Sequence, residues 1–169
     1  MWNSPMINKI KIILISFLII LCSCDQQSSK VKYLQSEENK IKNYPFSEAV
    51  KVGDMLYLSG QIGTSNENDG GLVPGGIRQE TRQTMLNIKN TLEKYNSEMD
   101  DIIKCTCMLA DIKEWAIMSE EYIKFFPNHK PARSAFAGTG LALGARVEIE
   151  CIAKVDWYNQ IKDKKMKRY

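Results

Sequence analysis

The 169-residue sequence predicts an α/β fold, a two-layer sandwich in which a mixed β-sheet carries two helices on one face. Three observations predict it. Segments of period two alternate with segments of period three to four in the order strand, strand, helix, strand, helix, strand, strand. Each helical segment has a single apolar stripe, as a helix lying on a surface requires. In the last strand Val147, Ile149, Cys151 and Ala153 alternate with Glu148, Glu150 and Ile152, so one sheet face is apolar and the other holds carboxylates.

Val31 to Leu34 reads as a first edge strand. Ser47 to Val52 and Met55 to Ile62 flank Gly53-Asp54, a two-residue turn of the kind that closes antiparallel hairpins. Gly63 to Gly76 is rich in Gly, Asn, Asp and Ser and is a loop, without the spacing of a phosphate-binding motif. Ile77, Thr81, Met85, Ile88, Leu92 and Tyr95 mark one face of a helix running to about Asn96. Ile102 to Leu109 is the next strand.

Asp111 is an expected N-cap with Glu114 as its capping-box partner. Ile112, Trp115, Met118, Tyr122 and Phe125 then form a second apolar stripe, read as core. Pro127 and Pro131 end this helix, and strands over Ala132 to Ala137 and Arg146 to Val155 follow, separated by Gly138, Gly140 and Gly144. The helices cover one sheet face. Two carboxylates on the other point to a subunit interface or cleft, so an oligomer is expected.

The chain divides into residues 1–23, a signal peptide; 24–30, a tether; 31–156, one domain; and 157–169, a basic tail with Lys162, Lys164, Lys165, Lys167 and Arg168. Lys9 and Lys11 precede the run Ile12 to Leu21. At about ten residues the run is half of what a bilayer crossing needs, and polar sequence follows it at once. Removing residues 1–23 takes two lysines and no acids, so the net charge falls from +3 to +1. That balance offers no electrostatic attraction for nucleic acid. The tail is expected to be solvated, with weak contact to anionic lipid headgroups as the sharper reading.

Cys105, Cys107 and Cys151 remain in the domain and are read as small buried residues, since Cys105 and Cys107 share a strand face without being able to bridge each other. His129 is the single histidine and no Cys-x-x-Cys spacing occurs, so no zinc site is expected.

Leu21-Cys22-Ser23-Cys24 resembles the lipobox of bacterial lipoproteins. The resemblance implies that Cys24 is lipidated and that the protein is lipid-anchored in the bacterial cell envelope, meeting the membrane through that anchor alone. Ordinary secretion with a cut near Ser23 stands beside it as the other reading.

Pro45-Phe46-Ser47-Glu48-Ala49-Val50, Leu58-Ser59-Gly60-Gln61-Ile62, Tyr122 to Pro127, Pro131-Ala132-Arg133-Ser134 and Val147-Glu148-Ile149-Glu150 together resemble the RidA (YjgF) family, over about Val31 to Val155. The resemblance implies a chorismate-mutase-like fold, a homotrimer with ligand clefts between subunits, no cofactor and no metal, and hydrolysis of reactive enamines and imines to 2-oxo acids and ammonia. It places Arg133 on the carboxylate of a 2-imino or 2-oxo acid and Glu148 on the attacking water. Phe46, Ser59, Gly60, Ser119 and Ala135 fall at substrate-binding positions. Three of these depart from the family pattern: Phe46 stands for tyrosine, Ser119 for asparagine and Ala135 for cysteine. A non-catalytic binder of small carboxylates and, behind it, an endoribonuclease are the alternative activities within the resemblance.

Overall fold

The computed structural model describes residues 30–155; the expected signal peptide, Cys24 and the basic tail lie outside the described residues. Gly53 takes φ 60°, left-handed geometry that costs glycine little, and folds β2 (Ala49–Val52) back on β3 (Met55–Leu58) in the expected hairpin. β1 (Val31–Leu34) pairs antiparallel with β2 as the outer strand.

The strand expected over Met55 to Ile62 is interrupted. β3 ends at Leu58, and β4 (Gln61–Ile62) resumes after Ser59-Gly60. Both halves pair with β7 (Val147–Lys154), Tyr57 opposite Ile152 and Gln61 opposite Ile149, so one extra residue bulges out between them. β5 (Ile102–Leu109) pairs antiparallel with β7 on one side and parallel with β6 (Ala132–Ala137) on the other. The sheet order is β1-β2-β3-β7-β5-β6, with β4 also on β7, and β6 is the far edge.

Two main helices lie against one face. α2 (Ile77–Lys94) buries Ile77, Thr81, Met85, Ile88 and Leu92. Thr81 and Thr91, on its buried side, satisfy their hydroxyls by donating to the carbonyls of Ile77 at 2.7 Å and Asn87 at 3.0 Å. Asn96, at φ 60°, turns the chain after it, and Ser97 N–H returns to the Leu92 carbonyl. α3 (Trp115–Tyr122) buries Met118 and Tyr122. With Leu56, Leu109, Val147 and Ile149 these side chains form one core, each apolar residue contributing about 1.5–3 kcal/mol.

A short helix escaped the sequence reading. α1 (Glu37–Ile41) follows β1, capped by the Ser36 hydroxyl, and five residues are too few for an apolar period to show. Glu114 also behaves otherwise than expected. Asp111 does cap its turn, accepting from Lys113 N–H at 2.9 Å, but Glu114 reaches Arg146 instead, with Oε1 at 2.7 Å from Nη2. The second stripe is only partly core, since Ile112 and Trp115 are exposed.

The cysteines differ from the expectation. All three are buried as expected, yet Cys105 and Cys151 are joined in a disulfide and only Cys107 is free. They face each other directly across β5 and β7, with Cα atoms 4.2 Å apart. Sequence spacing excluded the Cys105–Cys107 pair but could not bring in the strand 46 residues away.

Candidate functional site

The expected site residues fall into two groups. Arg133 and Ala135 alternate on β6 with the exposed Ala132, Ser134 and Phe136, and so face the helical side. Their register partners on β5 are Cys105 and Cys107, also on that side. α3 closes over them. Trp115, Ser119 and Tyr122 recur at four- and three-residue steps along it, hence on one helix face, and all three line a cleft of about 500 Å³ with Arg133 and Lys130.

The guanidinium of Arg133 lies 5.3 Å from the Trp115 ring centroid and 5.1 Å from that of Tyr122. Two aromatic faces therefore hold the cation. Within one protomer it has no hydrogen-bond or ion-pair partner among the described residues. The Ser119 hydroxyl and the Tyr122 hydroxyl are both buried and without a partner among the described residues. Burial pushes the Tyr122 phenol well above its ordinary value, keeping it protonated and a donor. Burial likewise lifts the free Cys107 thiol to about 11, against the opposing pull of Arg133 and Lys104, so it is no thiolate nucleophile at neutral pH.

The second group surrounds the bulge between β3 and β4. Glu148 projects from β7 on the sheet face away from the helices, beside Gly60. A Cβ on Gly60 would lie 2.1 Å from Glu148 Oε1, so only glycine leaves space for that carboxylate. Burial raises the Glu148 carboxyl above the usual range, and the neighbouring Glu150 charge raises it further. Ser59 is held in place rather than offered to a ligand: its hydroxyl donates to the Ser47 carbonyl at 2.7 Å and its N–H to the Glu48 carbonyl at 3.0 Å. Phe46, just before Ser47, is exposed and stacks on Tyr44 with ring centroids 5.4 Å apart.

Glu48 anchors this segment and was not singled out from sequence. Only 6% exposed, its carboxylate accepts from Ser36 Oγ at 2.6 Å, Asn39 Nδ2 at 2.7 Å, Lys94 Nζ at 3.0 Å and Tyr95 OH. Burial alone would raise its pKa, but the hydrogen bonds from Ser36, Tyr95 and Lys94 outweigh burial and hold it below the usual range. Nothing in a linear reading marked Glu48, because its donors come from two stretches distant from it, Ser36 with Asn39 and Lys94 with Tyr95.

One protomer does not unite the two groups. Arg133 is on the sheet's β6 edge facing the helices, whereas Glu148 is two strands away on the opposite face. That opposite face is markedly apolar for a surface: Tyr57 and Phe136 are 43% and 51% exposed beside Ile152, Glu148 and Glu150. Among the described residues no cluster of three or more His, Cys, Asp or Glu is arranged to hold a metal ion.

A family model described as Endoribonuclease L-PSP matches residues 38–155. Protein HMF1 of Saccharomyces cerevisiae is 44% identical over 108 residues, 64% of this chain and 82% of that protein. The 2-iminobutanoate/2-iminopropanoate deaminase of Mus musculus is 38% identical over 109 residues, 64% of this chain and 80% of that protein. Among solved structures, the YjgF gene product from E. coli superposes with a TM-score of 0.61 at 30% identity, covering 65% of this chain and 87% of the other.

Proposed function

The chain belongs to the RidA/YjgF family, whose model carries the description Endoribonuclease L-PSP, and from this premise we propose that it hydrolyses small 2-imino acids and their enamine tautomers to 2-oxo acids and ammonia. The observation that carries the proposal is Arg133. A guanidinium held over the rings of Trp115 and Tyr122, lining a cleft and lacking any acid partner among the described residues, offers its fork of N–H donors to an outside carboxylate.

Arg133 grips the carboxylate with two charge-assisted hydrogen bonds and so fixes the adjacent imine carbon. Water held by Glu148 adds its oxygen to that carbon as its proton passes to the carboxylate. The carboxylate returns that proton to the nitrogen, giving a carbinolamine; its hydroxyl proton then passes to the nitrogen by way of the same carboxylate as the C–N bond breaks, ammonia leaves and a C=O bond remains. A carboxyl whose pKa is raised suits both halves of this exchange, accepting the proton and returning it. Gly60 supplies the space for that carboxylate, and Phe46 and Ala135 give the pocket apolar walls.

In this proposal the active unit is a homotrimer, in which the β6 edge of one protomer, with Arg133 and Ala135, meets the Glu148 face of the next. The opposite-face placement of the two residues and the apolar exposure of Tyr57 and Phe136 support it. The proposal extends to location: Cys24 is the lipid anchor and the domain works in the cell envelope. A disulfide between Cys105 and Cys151 fits such an oxidising compartment.

The test generates 2-iminobutanoate or 2-aminoacrylate with a dehydratase and follows its decay with the purified protein and with Arg133→Ala. Faster decay with the natural chain and the buffer rate with the variant are expected. Equal decay in both sinks the hydrolase. Binding of 2-oxobutanoate that depends on Arg133, without turnover, would instead identify a carboxylate-binding protein.

A further inference from the structure

We propose that the cleft between α3 and β6 binds a second carboxylate through Lys130, so that the preferred substrates are 2-imino acids whose side chain carries its own acid group. The inference rests on the reading of Arg133 as the anchor for the first carboxylate.

Two cations, Arg133 and Lys130, line the same cleft, and neither has a hydrogen-bond or ion-pair partner among the described residues. The acid on the same wall is already engaged, since Glu120 Oε2 accepts from Arg78 Nη2 at 2.8 Å. The nearby Lys124 is likewise paired, with Glu121. A monocarboxylate would answer one of the two free charges. A dicarboxylate answers both.

The dimensions agree. Lys130 precedes Arg133 by three residues, which puts their Cα atoms at most about 10 Å apart. Long flexible side chains bridge that span easily and converge on the ends of a four- or five-carbon diacid. A cleft of about 500 Å³ is also far larger than the four-carbon monoacid needs.

The experiment compares binding of 2-oxoglutarate and 2-oxobutanoate to the full chain by calorimetry, and hydrolysis of the imines made in place from glutamate and 2-aminobutyrate by an amino-acid oxidase. The natural chain is expected to favour the diacid by about tenfold, the scale of one charge-assisted hydrogen bond. In Lys130→Gln the ratio should fall to near one, with Lys130→Arg restoring it. Binding of 2-oxobutanoate without a preference for the diacid overturns this proposal alone, as does a preference that survives in Lys130→Gln. Failure of both acids to bind overturns the reading of Arg133 as well.

Discussion

Gly60 and Glu148 share one volume: a single carbon added to the glycine would stand 2.1 Å from the carboxylate oxygen. The far end of a flexible side chain moves more readily than backbone, so Gly60→Ala should displace the Glu148 carboxylate and leave the sheet intact. The expected outcome is a loss of imine hydrolysis of about a hundredfold, the scale of a misplaced catalytic group. Circular dichroism should be unchanged and stability lowered by less than about 1.5 kcal/mol. Full activity in Gly60→Ala would remove Glu148 from the chemistry.

Glu148 also sets a pH dependence. Its pKa is raised by burial and by Glu150, so the protonated form persists above the ordinary carboxylate range. If the ionised form activates water, activity climbs as pH rises through that elevated value and is lost below it. Glu148→Gln should erase this acid limb from the kcat/KM profile along with most of the rate. The sign for stability is the reverse: the favourable contribution is complete below the unfolded pKa and disappears as pH rises through the folded one.

Glu48 predicts acid sensitivity of the fold. Because its hydrogen bonds hold its pKa below the ordinary 4.5, the stabilisation is present at neutral pH and is lost as pH falls through 4.5 toward the lower folded value. Urea titrations at neutral and acidic pH should show Glu48→Gln costing about 1–3 kcal/mol at neutrality, a difference that shrinks on acidification. A pH-independent difference would mean that the charge on Glu48 does not matter.

The Cys105–Cys151 bond closes a loop of 46 residues. Loop-closure entropy alone corresponds to about 4 kcal/mol for that length, with about 2–4 kcal/mol typical of measured bonds. Non-reduced intact protein should be lighter than the reduced form by two hydrogens, and strong reductant in denaturant should lower the unfolding midpoint. An unchanged midpoint in Cys105→Ala would show the bond to be unimportant for stability.

Much of the site was legible because its parts are local. That Arg133 and Ala135 share a face, and that Glu148 opposes Val147 and Ile149, follow from strand alternation, whereas the choice of these residues and of Ser119 as candidates came from the family resemblance. Trp115 was misassigned to the core: the same helical period that buries Met118 leaves Trp115 at the rim, and periodicity alone does not reveal where the sheet beneath the helix ends. Glu48 and the Cys105–Cys151 pair were missed for a shared reason, since each acquires its meaning from groups remote in sequence.

Side-chain period and turn chemistry are properties of neighbouring residues, and so the amino-acid order by itself determined most of the strands, the two main helices, the hairpin at Gly53 and the face of the last strand that carries Glu148. Tertiary structure alone decided that Ser59-Gly60 bulges to admit Glu148, that two rings hold Arg133, and that Arg133 and Glu148 stand on opposite sides of one sheet. These depend on which strands become neighbours. Pairing across the sheet is settled by the energy of the whole core, to which no short stretch of chain has access.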